Sequence, residues 1–355
     1  MSEAASSNLS RVEGRIPWVD YAKGICIFMV LMLHAATEVR DARGDTGWIG
    51  YVVAFAKPFR MPDFFLIAGL FLSNVIDRPW KTYLDRKVVH FLYFYLLWTG
   101  IHFVLFGIKT ALNASGGDWS TVLPAYLLTF IQPGGSLWFI HSLALYFLIV
   151  RLCKPLPWWL PLGATAILQM MSIDTGWQVI DEFCRRFVYF YSGYLFARYV
   201  FQLADWAFAH RRLAITYLCA WAVLNQVFVA RGWSILPGVG LLQGYFGAMA
   251  VVFCAVLLSA VSWTKPLRYI GATSIVLYLG DYVVQRVALK LGVVNLFDPG
   301  TAALLLTFIS VCGTLLMFKY SRYVGFGFLY RRPAWARLEP AKPPASDVSL
   351  QARVG

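Results

Sequence analysis

Apolar stretches long enough to cross a bilayer recur along this chain from residue 17 to residue 319, with only short polar breaks between them. A spanning helix needs about 20 mostly apolar residues. Ten stretches are candidates, at roughly 17–37, 50–76, 88–108, 122–150, 158–172, 184–202, 213–230, 238–262, 269–290 and 300–319. In hydrocarbon every backbone polar group must be satisfied within the protein, which a helix does segment by segment. The pattern predicts an all-α, polytopic membrane protein of about ten transmembrane helices. Charged residues make up only 14% of the 355 and hydrophobic ones 59%, where a soluble domain carries about a quarter charged residues. No polar block is large enough for a second domain. The expected organisation is a polar N-terminal segment at 1–14, a membrane domain at 15–320 and a basic tail at 321–355. The first apolar stretch lacks a small-residue cleavage site and reads as a retained helix. The tail, rich in Ala, Pro, Ser and Arg from about residue 333, has too little apolar content to fold and is expected to be disordered.

The net charge of +13 suggests a nucleic-acid partner until the charges are placed. With the N-terminus inside, 21 of the 31 Lys and Arg fall on one side, in the breaks between spans and in the tail. That bias encodes membrane orientation. It excludes nucleic acid and fits both termini in the cytoplasm. The six cysteines are scattered singly without metal-ligand spacing, so neither a disulfide nor a metal is expected.

Two spans are interrupted, the second by Lys57-Pro58 and Arg60-Met61-Pro62-Asp63, the fourth by Gln132-Pro133-Gly134-Gly135. Irregular backbone at membrane depth needs protein or a water-filled cavity around it. Polar stripes point the same way. Asp20, Lys23, His34 and Glu38 fall within an arc of about sixty degrees on the first helix, and Lys23 and His34 are about three turns, roughly 16 Å, apart. An intramembrane ionisable residue is a functional-site candidate by default. Glu38, one turn beyond His34, is placed either to orient the ring or to face solvent. Ser274, Tyr278, Asp281 and Gln285 form a second stripe that lines a polar cavity or joins helices. Arg60 with Asp63, and Arg185 with Arg186, sit toward the outer side, where they bind an anionic or sugar ligand or pair with nearby carboxylates. His102 and His141 read as packed helix residues.

Taken together, the motifs resemble those of the acyltransferase family 3 membrane proteins. Asp20-Tyr21-Ala22-Lys23-Gly24 with His34 resembles that family's Asp-x-x-Arg/Lys-Gly followed by histidine. Met61-Pro62-Asp63-Phe64-Phe65-Leu66-Ile67-Ala68-Gly69 is similar to its Met-Pro-Leu-Phe-Phe-Phe-x-Ser-Gly segment, and Tyr83-Leu84-Asp85-Arg86-Lys87 to its Arg-containing turn. Ser136-Leu137-Trp138-Phe139 and Ser274 with Leu277-Tyr278-Leu279 complete the order over about residues 15 to 320. Three positions depart from it: the usual arginine is Lys23, the serine before Gly69 is Ala68, and a histidine common after the late tyrosine is Asp281. The branch most similar acetylates sugars, as fucose 4-O-acetylase-like proteins do.

The resemblance implies a multi-pass O-acetyltransferase of the bacterial inner (plasma) membrane. Its donor would be acetyl-CoA or another acyl-CoA, and its acceptor a hydroxyl of a glycan or lipid-linked sugar. Lys23 with Arg86 or Lys87 would hold the donor's phosphates, and His34, with Glu38, would act as general base. Ser274, Tyr278 and Asp281 would line the acceptor cavity, with Arg60, Asp63, Arg185 and Arg186 as further acceptor contacts. A transporter of glycans or small anions is the alternative, although no repeat relates residues 17–170 to 184–320, where transporters usually show one. A non-catalytic membrane subunit needs no ionisable cavity, so both stripes count against it.

Overall fold

The structure is a computed structural model that describes residues 16–339. The expected polar segment at 1–14 and the tail beyond 339 lie outside the described residues. Helices follow one another in the order α1 (Pro17–Arg43), α2 (Ile49–Ala56), α3 (Arg60–Gly69), α4 (Trp80–Ala114) and α5 (Val122–Ile131). Next come α6 (Trp138–Cys153), α7 (Trp159–Met170), α8 (Gln178–Leu195), α9 (Ala197–Ala209) and α10 (Arg211–Ala230). The series closes with α11 (Val239–Ser259), α12 (Lys265–Ala272), α13 (Ser274–Lys290) and α14 (Pro299–Tyr323). No strand occurs among the described residues. Five helices, α1, α4, α10, α11 and α14, are long and apolar enough to cross a membrane on their own. Large apolar side chains such as Leu127, Val223, Phe308 and Leu316 stand exposed on the outside. This is an all-α polytopic membrane protein.

Each of the ten apolar stretches is helical, and the interruptions fall where proline and glycine put them. Lys57-Pro58 separates α2 from α3, and Gln132 to Leu137 separates α5 from α6. Two further breaks, at Phe196 and Thr273, carry neither residue and had no signal in the sequence.

Helix α1 occupies the middle of the bundle, packed against α3, α11, α12, α13 and α14. Pro17 opens it, where a missing N–H costs nothing. Gly44 ends it in the left-handed conformation (φ 80°), its N–H donating to Arg40 O at 2.7 Å, as helix ends require. The crossing of α1 and α12 depends on two glycines. A Cβ on Gly271 would stand 1.7 Å from Asp20 O, and one on Gly24 would stand 2.3 Å from Leu267 O. Backbones this close pass only over small residues. The glycine after Lys23 is therefore a packing requirement.

The basic tail, expected to be disordered from residue 321, is ordered to residue 339. Helix α14 continues to Tyr323, and the chain then folds back on α4. Trp98 Nε1 donates to Leu329 O at 2.9 Å, and Tyr330 is buried against Trp98 and Phe318. Arg332, also buried, donates to Asp85 O and Oδ2, each at 2.7 Å, and Leu338 N donates to Asp85 Oδ1 at 2.6 Å. Asp85 opens a π-helical turn, Asp85–Val89, and Arg332 caps the Asp85 carbonyl there. Low apolar content did not prevent ordering because a buried carboxylate supplied the partner.

Candidate active site

A cavity of about 420 Å³ opens between α1, α3, α4, α6 and α13. Its polar lining comes from Asp20, Lys23, Lys87, Ser274 and Tyr278, and its apolar walls include Phe64, Ala68, Phe139 and Phe147. Asp20 is held from α12 by Arg268, Nε to Oδ2 at 3.8 Å. The Lys87 ammonium lies 4.7 Å from the Phe147 ring centroid. The sequence left Arg86 and Lys87 as alternatives, and their positions differ: Lys87 lines the cavity while Arg86 is exposed and does not. One turn of a helix carries neighbouring residues to different faces, so only one of the pair can point inward.

Cys26 on α1 and Tyr278 on α13 bound the cavity toward His34. Tyr278 is pinned there. Its hydroxyl donates to Ser136 O and accepts from Phe139 N–H at 3.1 Å. The broken fourth span thus meets the ninth through backbone groups that the Gln132–Leu137 interruption leaves free. Nothing in the sequence linked Ser136 and Phe139 to Tyr278.

Beyond Tyr278 stands a histidine–aspartate pair. His34 Nδ1 donates to Asp281 Oδ2 at 2.6 Å. Asp281 is 0% exposed and the His34 side chain 22% exposed. A hydrogen bond this short lies at the strong end of the range for nitrogen–oxygen pairs. It fixes the ring so that Nε2 is the free nitrogen. Glu38, considered from sequence as the group that orients His34, instead pairs with Arg286 from α13 at 3.0 Å. Helical side chains lean toward the N-terminus, which carries Glu38 back along α1 to meet the guanidinium. Asp281 correspondingly does not line the cavity with Ser274 and Tyr278. Gln285, last in that stripe, donates to Leu31 O at 3.4 Å and joins the two helices.

The outer cationic clusters divide. Arg185 and Arg186 both pair with Glu182 on their own helix, at 3.9 and 3.2 Å. Arg60 and Asp63 are buried on α3, one turn before the cavity residues Phe64 and Ile67. Arg60 Nε and Nη1, and both Asp63 oxygens, have no hydrogen-bond partner among the described residues. Unfilled buried donors and acceptors of this kind call for explanation. Neither residue lines the cavity, and the Cys26 thiol lies within reach of the Asp63 carboxyl. The rings of His102 and His141 pack on Tyr282 and Tyr95, with centroids 4.8 and 4.9 Å apart.

Residues 16–319 match the model of a family described as an acyltransferase domain. The inner membrane protein YcfT of Escherichia coli (strain K12) is 25% identical over 198 residues, covering 50% of this chain and 55% of that protein. The nodulation protein NolL of Sinorhizobium fredii (strain NBRC 101917 / NGR234) is 25% identical over 217 residues, 60% of this chain and 57% of its own. The chain thus spans just over half the length of these curated relatives. No solved structure matches.

Proposed function

The chain belongs to the acyltransferase family whose domain occupies residues 16–319, and from that membership we propose that it is a membrane O-acyltransferase using His34 as general base. The donor is acyl-CoA, most simply acetyl-CoA, and the acceptor is a hydroxyl of a glycan or lipid-linked sugar at the bacterial inner membrane. One observation carries this reading: a histidine within a membrane helix, hydrogen-bonded through Nδ1 to a fully buried aspartate at 2.6 Å. A buried structural histidine also needs a hydrogen-bond partner; a carboxylate in that place in addition fixes the tautomer and stabilises the imidazolium that a general base forms.

The chemistry assigns each polar group a task. Lys23 and Lys87, the two cations lining the cavity, hold the phosphates of the donor, and the apolar walls take its pantetheine arm and acyl end. His34 Nε2 takes the proton of the acceptor hydroxyl as its oxygen attacks the thioester carbonyl. The tetrahedral adduct collapses, the carbon–sulfur bond breaks, and the departing thiolate takes the proton back from His34. Imidazole suits both transfers because its ordinary pKa lies near neutrality. Tyr278 stands between cavity and dyad, so the acyl end must pass it.

Mass spectrometry of surface glycans and lipid fractions from strains with and without the gene tests the reaction. An acetyl or longer acyl mass should disappear on deletion and return with the wild-type gene. Identical masses in every fraction would sink the proposal and favour transport.

A further inference from the structure

Helices α10 and α11 pack against each other yet leave between them a groove of about 490 Å³ with almost wholly apolar walls. Trp221, Leu224 and Phe228 come from one face of α10, and Leu242 and Phe246 from α11. Only 11% of the apolar window of α10 is buried inside the protein, so the mouth of the groove opens to the bilayer. This site is separate from the cavity lined by Lys23 and Tyr278. Phe55 and Phe59 pack behind Trp221, with ring centroids 5.6 and 5.0 Å from it.

Polar atoms on the floor distinguish this groove from an ordinary lipid-facing surface. Gln243 lines it and is 5% exposed. Its Nε2 donates to Asn225 Oδ1 at 2.8 Å, and Asn225 Nδ2 donates to Phe55 O at 2.9 Å. That chain fixes which end of the Gln243 amide is oxygen. Oε1 is then a buried acceptor with no partner among the described residues, and Trp221 Nε1 is an unpartnered donor nearby. In hydrocarbon such atoms are costly unless a ligand fills them. Gln243 stands in the second turn of α11, roughly 6 Å along its axis from Val239. Arg231, exposed, ends α10 three residues after Phe228. It places a cation at the same end.

We propose that this groove holds one anionic phospholipid of the surrounding bilayer. One acyl chain lies along Leu224 and Phe246, a hydroxyl of the headgroup donates to Gln243 Oε1, and the phosphate faces Arg231. The acceptor and donor of the acyl reaction play no part in it.

Native mass spectrometry of the purified full chain, titrated separately with phosphatidylglycerol and phosphatidylcholine, tests the site. Wild type should retain one phosphatidylglycerol per chain and prefer it about ten-fold over phosphatidylcholine, the worth of the one hydroxyl hydrogen bond that the choline headgroup cannot make. Leu224→Trp, which fills the groove, should abolish retention. Gln243→Leu should remove most of the preference, because phosphatidylcholine has no headgroup hydroxyl, and Arg231→Gln should weaken binding of both lipids. Val223→Trp, on the exposed face beside the groove, should change nothing and shows that a tryptophan on α10 is tolerated. Equal binding of both lipids by wild type, retention by Leu224→Trp, or equal loss in Val223→Trp would overturn the proposal. So would a dimer that Leu224→Trp splits, since a second copy would then be the occupant.

Discussion

His34 and Asp281 come from helices that are 247 residues apart in sequence, and this distance explains what the chain alone could and could not reveal. Spacing placed Lys23, His34 and Glu38 on one face of α1, because residues within a helix keep fixed angular relations. Which carboxylate reaches the ring depends on how another helix packs, and periodicity carries no such information. Glu38 stood out as the acid that either orients His34 or faces solvent and Asp281 as a cavity-lining acid, and packing gave Asp281 the ring and Glu38 to Arg286. The two acids make opposite predictions. Asp281→Asn should lower kcat by about 10²–10⁴ with little change in donor KM, as for an orienting carboxylate that loses its charge. Glu38→Gln should stay within a few-fold of wild type. Steady-state release of coenzyme A thiol by purified protein measures both, and a Glu38→Gln loss matching that of Asp281→Asn would contradict the assignment. Lys23→Ala and Lys87→Ala should each raise donor KM roughly ten-fold, the worth of one hydrogen bond to a charged group, leaving kcat largely intact. Arg86→Ala, at an exposed position, should raise it far less.

At the level of elements, breaks and crossings position the site. Proline and glycine announced the interruptions before α3 and α6, whereas the break at Thr273 depends on how α12 turns to cross α1. Gly24 and Gly271 permit that crossing, and the crossing holds Lys23 beside the cavity. Gly271→Val must push the helices apart, and overpacking costs about 1–3 kcal/mol. A lowered unfolding midpoint in detergent should show it, while Gly163→Ala, inside α7 where a Cβ meets nothing within 4 Å, should not lower the midpoint. The fold-back of residues 324–339 was invisible for a related reason. A tail of Ala, Pro and Arg looks solvated unless one knows that Asp85 waits at a π-helical turn 247 residues upstream of Arg332. Removing one partner of a buried pair typically costs about 3–5 kcal/mol. Arg332→Ala should therefore destabilise the protein strongly, and the Asp85→Asn/Arg332→Ala double variant should recover part of that loss. If Arg332→Ala melts like wild type, the strap contributes nothing to the fold.

Over the whole molecule, apolar recurrence made the class of fold plain, while the number of crossings depends on how the shorter helices are inserted. Ten crossings with both ends inside, as the charge bias leads one to expect, would put Lys23 and Lys87 on the cytoplasmic side and His34 about three turns deeper. Cysteines introduced singly at Ser115 and Ser262 should then differ. A membrane-impermeant maleimide should label the first from outside intact cells and spare the second. Labelling of Ser262→Cys would reverse the orientation and with it the side from which the donor enters. The central claim is that this bundle moves an acyl group by means of His34. The most direct test incubates purified wild type and His34→Ala with radiolabelled acetyl-CoA and an envelope extract from a strain lacking the gene. Wild type should transfer label to a glycan or lipid-linked fraction, and an equally monodisperse His34→Ala should transfer none. Label transferred by the variant at near the wild-type rate would contradict the mechanism outright.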